Sequence, residues 1–130
     1  MAVAICIETP TRFARRTIAA GAVIPIGTIM KLTDGNVVAV SDGDNTFGGF
    51  AWEESTATDT FTELVVALNG RWKVVSNGSN HATGELVVVT ALNTVGTSDS
   101  AKFLAGKCEG KSLDDLTGAG SIVIEAGVVI

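Results

Sequence analysis

The sequence predicts an all-β fold, a small β-barrel or β-sandwich of two similar β units, with an extended N-terminal arm and little helix. Valine, isoleucine and threonine dominate, and Gly, Asn, Asp and Ser cut them into short runs, the pattern of many short strands joined by turns. No stretch sustains the apolar period of an amphipathic helix. Residues 27–73 also lie over residues 84–130 without a gap, an offset of 57 positions, which marks an internal repeat.

The first segment, residues 1–22, differs from the rest. It carries one apolar alternation, Val3, Ile5 and Ile7, then Pro10, then Arg12, Phe13, Arg15 and Arg16 close together. A lone strand at a terminus must pair with its own sheet or with another protein. These residues therefore form the candidate binding arm, with Phe13 as anchor and arginine forks for carboxylates. Residues 23–130 read as a single β domain.

Within that domain the candidate strands after Val3–Ile7 are Thr28–Leu32, Val37–Val40, Phe47–Trp52, Thr62–Leu68, Arg71–Val75, Glu85–Thr90, Ala101–Cys108 and Ser121–Glu125. Gly127–Ile130 reads as a last strand or its end. Asp34-Gly35 and Asn69-Gly70 each sit between apolar runs and tolerate the positive φ of tight hairpin turns. Asn69-Gly70 is the cleaner hairpin signal. Ser112–Leu116 is a candidate helical turn with Ser112 as N-cap. In the repeat Gly27 meets Gly84, Thr33 meets Thr90, Asn36 meets Asn93, Ser41-Asp42 meets Ser98-Asp99, and Gly49 meets Gly106. Val65-Val66 meets Ile122-Val123, and Gly70 meets Gly127.

Composition narrows the function. Hydrophobic residues make up 46% of the 130 and charged residues only 18%, against a usual quarter. Such a chain is expected to hide part of its apolar surface against other chains. A net charge of −5 argues against nucleic acid, which needs a basic face. The longest uncharged stretch, Ile18–Met30, is too short and too broken by Gly21, Pro25 and Gly27 to span a membrane. Arg15-Arg16 lacks the cleavage pattern of a clean export signal. Cys6 and Cys108 are no disulfide framework and read as reduced, buried thiols.

No chemistry-bearing constellation emerges. His81 stands alone in an Asn/Ser/Gly loop and reads as solvated, with no partners for a zinc site. Cys and His lack the orienting acid of a nucleophile pair. Asp42-Gly43-Asp44-Asn45 reads as a turn rather than a calcium loop, lacking the bidentate Glu. Glu53-Glu54 are adjacent and would face opposite ways on a strand. Gly48-Gly49 lacks the lysine and helix of a phosphate loop, and Asn77-Gly78-Ser79 reads as a turn. Trp52 and Trp72 read as core or interface anchors, and aromatics total only 5%, too few for a stacking platform. The expectation is a non-enzyme with no metal and no cofactor.

Gly27-Thr28-Ile29-Met30-Lys31-Leu32-Thr33-Asp34-Gly35-Asn36-Val37-Val38-Ala39, continuing through Asp42-Gly43 to Phe47-Gly48-Gly49-Phe50-Ala51, resembles the head decoration (capsid-stabilising) proteins of tailed phages, of the lambda type. The resemblance covers residues 20–55 and rests on Gly27, Asp34, Gly35 and Gly49; Asn69 and Gly70 extend the turn pattern. It implies a β-clip- or β-tulip-like fold and a virion protein, made in the host cytoplasm, on the outside of the expanded head. It further implies binding to the major capsid protein and a homo-oligomer, a trimer first and a dimer second. By position, Val3, Ile5, Ile7, Arg12, Phe13, Arg15 and Arg16 match that family's capsid-binding arm. The alternative is a β-barrel binding module of a phage tail or adhesin.

Overall fold

In the computed structural model, which describes residues 3–43, 46–78, 80–97, 108–118 and 120–127, the chain forms strands and no helix among those residues. The strands are β1 (Ile5–Glu8), β2 (Phe13–Thr17), β3 (Ile29–Asp34), β4 (Val37–Val40), β5 (Phe47–Ala51), β6 (Glu63–Ala67), β7 (Gly70–Ser76), β8 (Leu86–Ala91), β9 (Thr94–Thr97), β10 (Cys108–Ser112) and β11 (Gly120–Ala126).

Five strands close barrel one in the order β2-β4-β3-β5-β6. Barrel two repeats the plan as β7-β9-β8-β10-β11, closed by the pairings of β7 with β11 and β9. In each barrel one contact is parallel: Thr17↔Val37 in the first, Val75↔Thr94 and Ser76↔Val95 in the second. The all-β fold of two similar units is therefore present.

The correspondence reaches single hydrogen bonds. Gly27 N–H donates to Ala51 O at 2.8 Å, and Gly84 N–H to Ser112 O at 2.7 Å. The Glu53 carboxylate accepts from Val65 N–H at 2.9 Å, and the Asp114 carboxylate from Val123 N–H at 2.9 Å. The offset is not uniform, however. It is 57 for β3 (Ile29 onto Leu86), 61 for β5 (Phe50 onto Lys111) and 58 for β6 (Val66 onto Ile124). The gapless alignment therefore fails twice. It places Val66 on Val123, whereas the buried partner is Ile124, and a one-residue slip turns a strand's faces over. It places Gly49 on Gly106, whereas Gly110 takes that position. Ser98-Asp99 and Gly106 lie outside the described residues.

The N-terminal segment is not a free arm. β2 pairs with β6 from Phe13↔Ala67 to Thr17↔Glu63 and is a stave of barrel one. It tolerates its arginines because the inward position, Ala14, packs on barrel one's core, and Phe13 and Arg15 face out. β1 pairs with β7, so the segment touches both barrels.

Two local expectations also change. Asn69-Gly70 is a crossover, not a hairpin, because β6 belongs to barrel one and β7 to barrel two. Its side chain explains the choice of residue: Asn69 Oδ1 accepts from Thr11 N–H at 2.9 Å and Arg12 N–H at 3.0 Å, fixing the start of β2. Gly70, at φ +102°, lies so close to Glu8 O that a Cβ would meet it at 2.9 Å. Ser112–Leu116 makes no helical turn. Ser112 ends β10 and its hydroxyl donates to Asp114 O, while Asp115 binds Thr83. Of the strand expected at Ala101–Cys108, residues 101–107 lie outside the described residues, as do 128–130, and Cys108 is in β10. Asp34-Gly35 does turn β3 into β4 as expected.

The core forms two clusters. Ile18, Ile24, Met30, Val38, Ala51, Leu64 and Val66 fill barrel one. A residue adjacent to these on each of three strands, Ile29, Phe50 and Ala67, faces outward and joins the core of barrel two with Trp72, Val74, Ile122 and Ile124. Both faces are thus buried at Ile29-Met30, Phe50-Ala51 and Val66-Ala67, which is why apolar residues stand side by side there rather than alternating with polar ones. Their counterparts in barrel two, Leu86, Lys111 and Glu125, are not fully buried, so the seam has no second copy at the far end.

Candidate interaction surface

An aromatic ladder runs from the seam to the surface. Phe47 meets Phe50 at 5.2 Å between centroids, Phe50 stacks on Trp72 at 4.1 Å, Trp72 meets Trp52 at 6.2 Å, and Trp52 meets Phe13 at 5.4 Å. Phe50 and Trp72 are buried, whereas Trp52 is 36% and Phe13 45% exposed. Trp72 is thus a core anchor, and Trp52 links it to the surface.

The ladder's outer end carries part of the arginine cluster. Arg12 and Arg15 are exposed. Arg15 lines an open cleft of about 500 Å³ with Glu53, Glu54, Phe61, Thr62 and Glu63. Arg16 turns instead to the β3–β4 turn, where its Nη1 donates to Asn36 Oδ1 at 3.0 Å. The cluster therefore divides into Arg12, Phe13 and Arg15 at the surface and a structural Arg16.

Val3, Ile5 and Ile7 lie elsewhere, along β1. Val3 packs beside Gly27, whose carbonyl accepts from Ala4 N–H at 2.9 Å. Ile5 is 58% and Ile7 55% exposed. Cys6, expected to be buried, is exposed, because β1 lies beyond the barrel wall with β7 on one edge. Partial burial still raises its thiol pKa above the ordinary value.

His81 is buried rather than solvated. Its Nε2 lies 2.8 Å from Ser76 Oγ, and its backbone exchanges two hydrogen bonds with Leu116, at 2.7 and 2.9 Å. The cause is the repeat: His81 takes the place that the buried Ile24 holds against Ser55 in barrel one. Desolvation lowers its pKa, against an opposing pull from Glu85. Asp42, in the acidic loop, pairs with Lys31 at 2.7 Å; Asp44 and Asn45 lie outside the described residues. Among the described residues no three His, Cys, Asp or Glu side chains come together as a metal site.

Trp52, a candidate core or interface anchor, is the sequence signal for this surface, and Phe61 carries no local pattern that marks it; only the fold brings Trp52 beside Phe13 and places Phe61 in one cleft with Arg15.

No protein-family model matches the chain, and no curated protein matches it. Its fold is similar to that of the head fibre gp8.5 N base of bacteriophage phi29, with a TM-score of 0.54 and 12% identity, over 88% of this chain and 94% of that one.

Proposed function

We propose that this chain is a structural protein of a phage head, a decoration protein that binds the major capsid protein on the outside of the expanded shell and stabilises it. The observation that carries the reading is the fold similarity to a phage head-fibre base, which covers 88% of this chain and 94% of that one. The resemblance of residues 20–55 to head decoration proteins supports it independently. The work is mechanical, with no catalytic step: binding the expanded lattice preferentially stabilises that state by mass action, and many copies multiply a modest contact.

The docking surface in this reading is the outer end of the aromatic ladder. Phe13 and Trp52 supply a rigid apolar anchor, and Arg12 and Arg15 supply forks for carboxylates of the capsid protein. Adding the purified chain to bare expanded shells tests it. Co-sedimentation and added heat resistance support the reading; binding to neither expanded nor unexpanded shells overturns it. The cleft beside Phe61 favours a second reading, a receptor-binding module, which predicts a soluble ligand for that cleft and no affinity for shells.

A further inference from the structure

We propose that β1 is the joint of a symmetric dimer, in which residues 5–7 pair antiparallel with the same three residues of a second copy about a two-fold axis at Cys6. β1 uses one edge on β7, and among the described residues no strand pairs with the other. All four of its residues are exposed, including two large aliphatics, Ile5 and Ile7. An exposed apolar edge is a template for another strand, which proteins blunt with Lys or Pro, with a bulge or by keeping the strand short. β1 has no Lys or Pro; its four-residue length and the bulge between Cys6 and Glu8 keep the joint short.

The strand's own pattern identifies the occupant. A two-fold contact presents the same residues from both sides and must be complementary to itself. Ile5-Cys6-Ile7 reads the same in both directions, so each Ile5 lies beside the partner's Ile7 and Cys6 faces its own copy. The one charged residue of the strand, Glu8, is paired with Arg71 of its own chain at 3.2 Å and brings no bare charge to the joint. The start of the strand is closed, since Ala4 N–H is taken by Gly27 O, which leaves Glu8 no partner across the axis and limits the pairing to residues 5–7. Two copies of net charge −5 repel at long range, so salt should strengthen this dimer, whereas it would weaken a contact driven by opposite charges. The surface is distinct from the one assigned to the capsid, and the proposal stands or falls without shells.

Sedimentation of the full chain from micromolar to millimolar concentration, at low and high salt, reads the association. The expected result is a monomer–dimer equilibrium, tighter at high salt and weakened at least tenfold by Ile7→Lys, a change at an exposed position. A Cys108→Ser chain, whose single thiol is Cys6, should give a covalent dimer with copper–phenanthroline, and adding Ile7→Lys should abolish it. A chain that stays monomeric to millimolar concentration, or a dimer indifferent to Ile7→Lys, would overturn the proposal. Sedimentation of the chain and its Ile7→Lys variant decides it even if the Cys108→Ser chain does not fold.

Discussion

Phe50 and Trp72 stack face to face, their ring centroids 4.1 Å apart and their planes within 10°, with one ring supplied by each barrel. Phe50 projects out of barrel one, and its counterpart in barrel two is Lys111; Trp72 belongs to β7, and its counterpart on β2 is Ala14. Phe50→Ala should therefore cost about 3–5 kcal/mol, the range for truncating a buried aromatic. Urea unfolding followed by circular dichroism should show a lower midpoint and a split into two transitions as the barrels lose their coupling.

Asn93 holds the same seam by polar means. Buried and at φ +51°, it accepts the Ile29 N–H on Oδ1 at 2.8 Å and donates its own N–H to Ser41 Oγ at 3.0 Å. Asn93→Ala leaves the Ile29 donor without a partner and puts Ala in the left-handed region, for a loss of about 2–4 kcal/mol. Asn93→Gly relieves the backbone and loses only the bond, about 1–3 kcal/mol. Chemical denaturation of both variants checks the order, with Gly the milder.

Much of this fold was legible in the sequence, and the failures have one physical origin. Turn residues and aliphatic alternation located β3, β4, β6, β7, β8 and β11 within a residue or two, and the matches Gly27–Gly84 and Asn36–Asn93 located the repeat. Closure of a barrel is not a local property. β2, with the sequence Phe-Ala-Arg-Arg-Thr, shows one small inward residue and looks like an arm until β6 and β4 surround it. Asn69-Gly70 carries the chemistry of a hairpin, and only the three-dimensional division of strands makes it a crossover. The exposed end of the ladder depends on Phe13 meeting Trp52, residues 39 positions apart, which no local pattern encodes.

His81 makes stability depend on pH. Burial lowers its native pKa below the ordinary 6.5, so between those two values the unfolded chain binds more protons than the native one. Stability is then greatest above about pH 7 and falls as the pH drops through 6.5 toward the native value, with a slope of at most about 1.4 kcal/mol per pH unit for one proton. Urea midpoints at pH 7.5 and 5.5 measure the difference. His81→Gln, which keeps a polar side chain near Ser76, should shrink it.

Gly49 sits in β5 at φ +113°, and a Cβ there would meet the Cβ of Val66 at 2.8 Å. Gly49→Ala must both strain the backbone and push β6 away, so a loss of about 2–4 kcal/mol is expected. A matching loss is expected for Gly110→Ala, where the added carbon would meet Glu125 O. Thermal melts of the two variants test whether the equivalent glycines do the same work in both barrels.

Removing residues 2–16 would not isolate a binding arm, because it takes away β1 and four of the five residues of β2 and opens barrel one. The surface has to be tested by side chains that the barrels do not need. Arg12 and Arg15 are exposed and form no ion pair among the described residues, so Arg12→Ala with Arg15→Ala should leave the melting temperature within about 2 °C of the parent. Its affinity for expanded shells should fall about tenfold or more, and the remaining binding should depend less on salt, since two screened contacts are gone. Arg16→Ala is the control with the opposite signature. It removes the bond to Asn36 and should lower the melting temperature while leaving shell binding by the folded fraction unchanged.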